Sequence, residues 1–162
     1  MRIAARSDVP SECEERIANS IMINKFAARL MRAGQGQEVF NYSFFVIATM
    51  RKALEEPESN PDHDVREAAI PSAVAWVTVM GSDIYTWNKE FPYGGRLGDR
   101  GKGGALWEGK HGFCVERWQL WKRRFGELSR STELSDELRG LAEEGAVKMN
   151  KVEIRAVAER NG

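Results

Sequence analysis

Between Phe113 and Leu128, Cys114, Trp118, Trp121, Phe125 and Leu128 stand at i, i+4, i+7, i+11 and i+14. At about 100° per residue these positions share a stripe about 80° wide, so the segment must be a helix with one side buried. The other long segments repeat the same 3.6-residue period, and none sustains the two-residue alternation of a half-buried strand. The chain has 162 residues, 42% of them hydrophobic, enough for one core. The expectation is therefore an all-α, single-domain bundle of about five helices spanning residues 1–162, with residues 1–10 as an N-terminal extension.

Local signals set the helix ends. Ser11 and Glu14 form a capping-box pair after Pro10, and Gly34 supplies a stop, giving a first helix over Ser11 to Ala33. Ile17, Ile21, Ala28 and Met31 share one of its faces, with Asn24 among them, while Met22, Ile23, Phe26 and Leu30 share the opposite face. Two apolar faces predict a central helix covered from both sides. A second helix follows over about Asn41 to Glu55, with Phe44, Ile47, Ala48 and Met50 inward. After a loop closed by a second capping pair, Asp64 and Glu67, the third helix runs over roughly Val65 to Lys89. Ala73, Trp76, Val77, Met80, Ile84 and Trp87 form its stripe; Pro71 should kink it or mark its start, and Gly81 suggests close approach by a neighbour. Phe91 to Gly112 holds eight of the fifteen glycines and reads as a long Gly-rich loop (91–112) between the third and fourth helices. A last helix opens at Ser135 and carries Leu138, Leu141, Gly145, Met149 and Val152 inward.

Composition removes several classes of function. Acidic and basic residues number 24 each, so no overall positive field draws the chain to nucleic acid. Cys13 and Cys114 lie far apart, and His63 and His111 are the only imidazoles, so neither a disulfide framework nor a metal site is expected. The N-terminal residues lack a signal-peptide apolar core, and Ala68 to Met80 is too short and too interrupted to span a bilayer. A cytoplasmic protein without a membrane span, metal or cofactor is the expectation.

"GDRGKGG" mixes glycines with Arg100 and Lys102, but it lacks the GxxxxGK[ST] order of a phosphate loop and the strand that precedes a dinucleotide fingerprint. Cys114, His111 and Glu116 are neighbours in sequence, yet Cys114 lies on the fourth helix's buried stripe and reads as a small core residue rather than a nucleophile. The tryptophans are more informative. Trp76, Trp87, Trp118 and Trp121 project from helical stripes, whereas Trp107 belongs to the loop. Indoles gathered in one interior close-pack poorly and each N–H needs a partner, so an aromatic-walled cavity competes with a plain core. Asn24, Asp83 and Arg117 are the polar groups placed to face such a cavity; a boundary salt bridge is the alternative for Asp83 and Arg117.

The stretch "GGALWEGKHGFCVERWQLWKRRF", with "INKFAARL", "AVAWVTVMG" and "LSDELRGLAEEGAVKMNKVE" in order along the chain, resembles an uncharacterised fungal family known only as a domain of unknown function. The similarity spans about Ile23 to Glu153. It implies a fungal, intracellular, helical protein without an agreed activity or catalytic set. The occurrence of such proteins in fungal specialised-metabolite gene clusters adds weight to a small-molecule role. Pro71 and the short N-terminus depart from the family pattern.

The leading functional expectation is a cofactor-free cyclase or isomerase that binds an apolar small-molecule substrate, in the manner of a pericyclase. Arg117, Asn24 and Asp83 would be its catalytic polar groups, and Trp76, Met80, Trp87, Trp107, Trp118 and Trp121 its substrate-binding wall. The alternative is a non-catalytic helical interaction module that docks a partner through Trp107, with a homodimer also compatible with the sequence. In both readings the glycine stretch before the fourth helix forms a rim.

Overall fold

The computed structural model describes residues 10–34, 37, 41–58, 63–94 and 98–162. The fold is all-α. Five helices, α1 (Glu12–Ala33), α2 (Ser43–Leu54), α3 (His63–Thr86), α4 (Val115–Leu128) and α5 (Asp136–Arg160), are joined by one two-residue ladder between β1 (Lys89–Glu90) and β2 (Gly112–Phe113). Most of the expected N-terminal extension lies outside the described residues, as do the side chain of Asp64 and the part of the glycine loop at 95–97.

The caps work as the sequence implies. Ser11 Oγ accepts the Glu14 backbone N–H at 3.2 Å, and the Glu14 carboxylate accepts the Ser11 N–H at 2.7 Å, closing a capping box. Ser135 caps α5 by accepting the Leu138 N–H at 3.3 Å. The end of α2 is finished by an arginine from another helix: Arg124 Nε donates to the Leu54 carbonyl at 3.1 Å and Nη2 to that of Glu56 at 3.4 Å. This satisfies carbonyls that a helix end leaves without partners.

α3 is the central element, packed by α1, α2 and α5. Pro71 sits inside the continuous helix rather than at its start. Gly81 is the close approach expected of it, since a Cβ there would stand 3.2 Å from Val152 Cγ2 of α5. Gly145 of α5 does the same for α4: an added Cβ would fall 2.8 Å from the Phe125 ring. Trp76, Met80, Trp118, Trp121, Phe125 and Leu128 all lie in one continuous buried cluster.

The expectation for α1 is only half met. Ala27 and Ala28 are buried, and the helix packs on α3. The opposite face, expected to be covered, is open: Met22 is 61% exposed, Ile23 56% and Phe26 65%. The described remainder of the chain supplies α1 with neighbours on one side, so it is a flank of the bundle and not its centre.

Candidate functional site

The opening motif is organised around one buried ion pair. Arg117, on the first turn of α4, and Glu55, the residue that ends α2, are both fully buried. Arg117 Nε donates to Glu55 Oε1 at 2.7 Å and Nη2 to Oε2 at 3.0 Å, a bidentate geometry. Its remaining N–H groups go to backbone carbonyls of the glycine loop: Nη1 to Gly101 and Gly112, each at 2.8 Å, and Nη2 to Lys102 at 3.3 Å. All five guanidinium donors are thereby used. The carboxylate is equally occupied, because Glu55 also accepts Trp121 Nε1–H at 2.7 Å and the Gly104 N–H at 2.8 Å. The guanidinium carbon stands 5.6 Å from the ring centres of both Trp107 and Trp121.

The glycines serve this packing. A Cβ at Gly101 would fall 2.3 Å from the His111 carbonyl oxygen, and one at Gly112 1.9 Å from that of Lys89. Backbone must come this close for the carbonyls of 101, 102 and 112 to reach one guanidinium and for Gly112 to pair with Glu90. Trp107 closes the knot: its Nε1–H donates to the Lys110 carbonyl at 2.9 Å, while Gly103 and Gly109 lie against its ring. The expected rim is therefore a packed loop folded around Arg117. Trp107 is only half-buried but is held as part of that knot, not displayed as a docking anchor.

These contacts revise the expected catalytic set. Arg117 has no donor left for a substrate, because burying a guanidinium requires every N–H to find a partner. Asp83 is the boundary salt bridge of the alternative reading, accepting from Arg32 Nη1 at 2.7 Å between α1 and α3. Asn24 turns inward: its Oδ1 accepts Trp76 Nε1–H and Thr49 Oγ1–H, each at 2.8 Å, and its Nδ2 donates to the Ser20 carbonyl at 2.9 Å.

The expected aromatic wall is largely packed core. The three buried indoles each have their own protein acceptor: Trp76 the Asn24 amide, Trp121 Glu55, and Trp118 Glu153 Oε1 at 2.9 Å. Trp87 packs edge-on against Phe113 with ring centres 4.9 Å apart, and Trp118 lies tilted against Tyr85 at 5.2 Å. Met80 is buried core. These side chains fill the bundle because the rings meet aromatic and aliphatic neighbours and the N–H groups are satisfied at its edges. Cys114 is the N-cap residue of α4, half-buried, and burial pushes its thiol up, away from a reactive thiolate.

A concave surface lies elsewhere, lined by residues of α1, α2 and α3. A groove of ≈ 730 Å³, open to solvent, is walled by Ile17, Ile23, Phe45, Ala48, Val65 and Ala69. Asn24 and Thr49 supply polar atoms, and Arg16 and Lys52 bring two cations. Its size falls within the range of small-ligand sites. Of the residues expected to form a site, Asn24 alone lines it. Sequence reasoning missed Glu55, read only as a helix end, and the groove itself, which is assembled from residues of three helices.

The fold and these features define an all-α protein with an arginine-centred loop knot and a lateral groove. Residues 2–125 match the family of proteins of unknown function DUF3632, and the chain belongs to that family. No curated protein and no solved structure matches it. Among the described residues, no helix is long and apolar enough to cross a membrane, and no group of three His, Cys, Asp or Glu side chains is placed to hold a metal ion.

Proposed function

We propose that the chain binds an apolar small molecule bearing an acidic head group in the groove between α1, α2 and α3. The observation that carries the reading is the pairing of an aliphatic and aromatic wall with two cations, Arg16 and Lys52, around a space of ≈ 730 Å³. An apolar body displaces water from Ile17, Ile23, Phe45 and Val65, and the head group meets the cations at lower desolvation cost than in a closed cavity. We extend the reading to cofactor-free cyclisation or isomerisation of the bound molecule, in the specialised metabolism that the fungal resemblance implies. The groove's shape holds the reactive conformer, and Asn24 offers the amide hydrogen that it does not give to Ser20. Arg117 takes no part in this version.

Calorimetric titration with dodecanoate tests the binding step. Dodecanoate should bind about fivefold more tightly than its methyl ester, as expected of a surface ion pair worth ~1 kcal/mol. Ala48→Trp, which fills the groove, should abolish both. Equal affinity of the Ala48→Trp variant and the parent chain, or no binding of either amphiphile, overturns the reading.

A further inference from the structure

The uncovered face of α1 has a symmetry of its own. The helix runs over Glu12–Ala33, so its midpoint falls between Met22 and Ile23, and the exposed Met22, Ile23 and Phe26 sit at that midpoint. Projected at about 100° per residue, Glu12 and Glu15 lie on the same face toward the N-terminal end and Arg29 on it toward the C-terminal end, all within an arc of about 120°. Glu12, Glu15 and Arg29 are exposed. The face thus carries Met22, Ile23 and Phe26 with Asn19 among them in the middle, is acidic toward one end, where Arg16 borders it, and basic toward the other.

We propose that this face of α1 is a homodimer surface, on which two copies of the chain pack their α1 helices antiparallel about a two-fold axis. An isologous contact requires a surface complementary to itself after a two-fold rotation. Rotation about an axis through the helix midpoint lays Met22 and Ile23 of one copy over the same residues of the other. It also brings Glu12 and Glu15 beside Arg29 of the second copy, at both ends. Parallel pairing would set acid against acid and base against base. The face is also continuous with the groove at Ile23, which belongs to both. The dimer stands independently of whether the groove binds a ligand. A 22-residue helix is about 33 Å long. A contact about 10 Å wide then buries on the order of 600–700 Å² in total, below the roughly 1,200 Å² of a standard stable interface, so the dimer should be weak and concentration-dependent.

Sedimentation velocity on the full chain from about 1 to 300 µM provides the test. The parent chain should shift from monomer to dimer across that range. Met22→Glu/Phe26→Glu should remain monomeric at every concentration with an unchanged far-ultraviolet circular dichroism spectrum. Glu15→Arg should weaken association about tenfold, and Glu15→Arg/Arg29→Glu should restore most of it, since the double variant reverses the Glu15–Arg29 pair and leaves only Glu12 of the three with its original sign. A parent chain that is monomeric at 300 µM overturns the proposal. So does a Met22→Glu/Phe26→Glu variant that still dimerises, or a double charge variant no tighter than the single.

Discussion

Arg117 illustrates how one buried group changes the meaning of a motif. Its guanidinium is buried against a carboxylate that is itself fully engaged. Removing the guanidinium leaves Glu55 as an uncompensated buried charge and frees three loop carbonyls at once. Arg117→Met should therefore destabilise the fold by about 3–5 kcal/mol, lowering the Tm by roughly 10 °C or more in thermal melts. Arg117→Lys should recover little, because an ammonium cannot reproduce the bidentate fork. A methionine variant that melts with the parent chain would contradict this account. Glu153 gives a second test, in pH. Burial pushes its carboxyl up, but hydrogen bonds from Lys122, Trp118 and Gln119 outweigh that and hold it below the usual carboxylate range. A depressed folded-state value stabilises the fold above the unfolded carboxyl pKa of about 4.3, and that contribution fades as pH falls through the folded value. Urea midpoints should accordingly drop less for Glu153→Gln than for the parent chain on acidification from pH 6 to pH 3.

Most helix boundaries and stripes were legible because they rest on local chemistry, although α3 ends at Thr86, before Trp87 and the expected Lys89, which pairs in β1. Ser11, Glu14 and Ser135 cap by contacts three residues away, and the Trp118, Trp121, Phe125 and Leu128 stripe is periodic. The loop was not legible, since its fold depends on Glu55, 62 residues before Arg117 in sequence. A glycine-rich run is identical on paper whether it is mobile or packed so tightly that no Cβ fits. The exposed face of α1 was misread for a related reason, since periodicity reports that a face is apolar and not what covers it. The packed loop makes its own prediction. Trp118→Ala and Phe125→Ala should each cost about 3–5 kcal/mol as fully buried truncations, and Trp107→Ala about 2 kcal/mol rather than nothing. Gly112→Ala should be as damaging as Trp107→Ala or more so, because the Cβ would collide with the Lys89 carbonyl and break the β1–β2 ladder. Chemical denaturation of the four variants checks the order, and a Trp107→Ala variant as stable as the parent would return the loop to a rim.

The Arg117–Glu55 pair joins α2 and α4, while α1 lines the groove and carries the exposed Met22, Ile23 and Phe26, so the two proposed surfaces stand apart from the buried ion pair. α4 and the glycine loop are closed by Arg117, while the groove and the open face meet at Ile23. Three substitutions should therefore have separable effects. Ala48→Trp fills the groove without touching the far side of α1, so it should remove dodecanoate binding and leave sedimentation unchanged. Phe26→Glu lies on the open face and does not line the groove, so it should weaken self-association and leave the affinity for dodecanoate within about twofold. Ile23→Glu places a carboxylate on both surfaces and should impair both, most strongly for an acidic ligand that it also repels. Because coupling between two binding events is reciprocal, dodecanoate should shift the sedimentation of the parent chain only to the extent that dimerisation shifts the dodecanoate affinity. Titrations and sedimentation of the three variants read both quantities. Loss of ligand binding in Phe26→Glu with the helix content intact would mean that the groove is completed by the second copy, and that the dimer rather than the single chain is the binding unit.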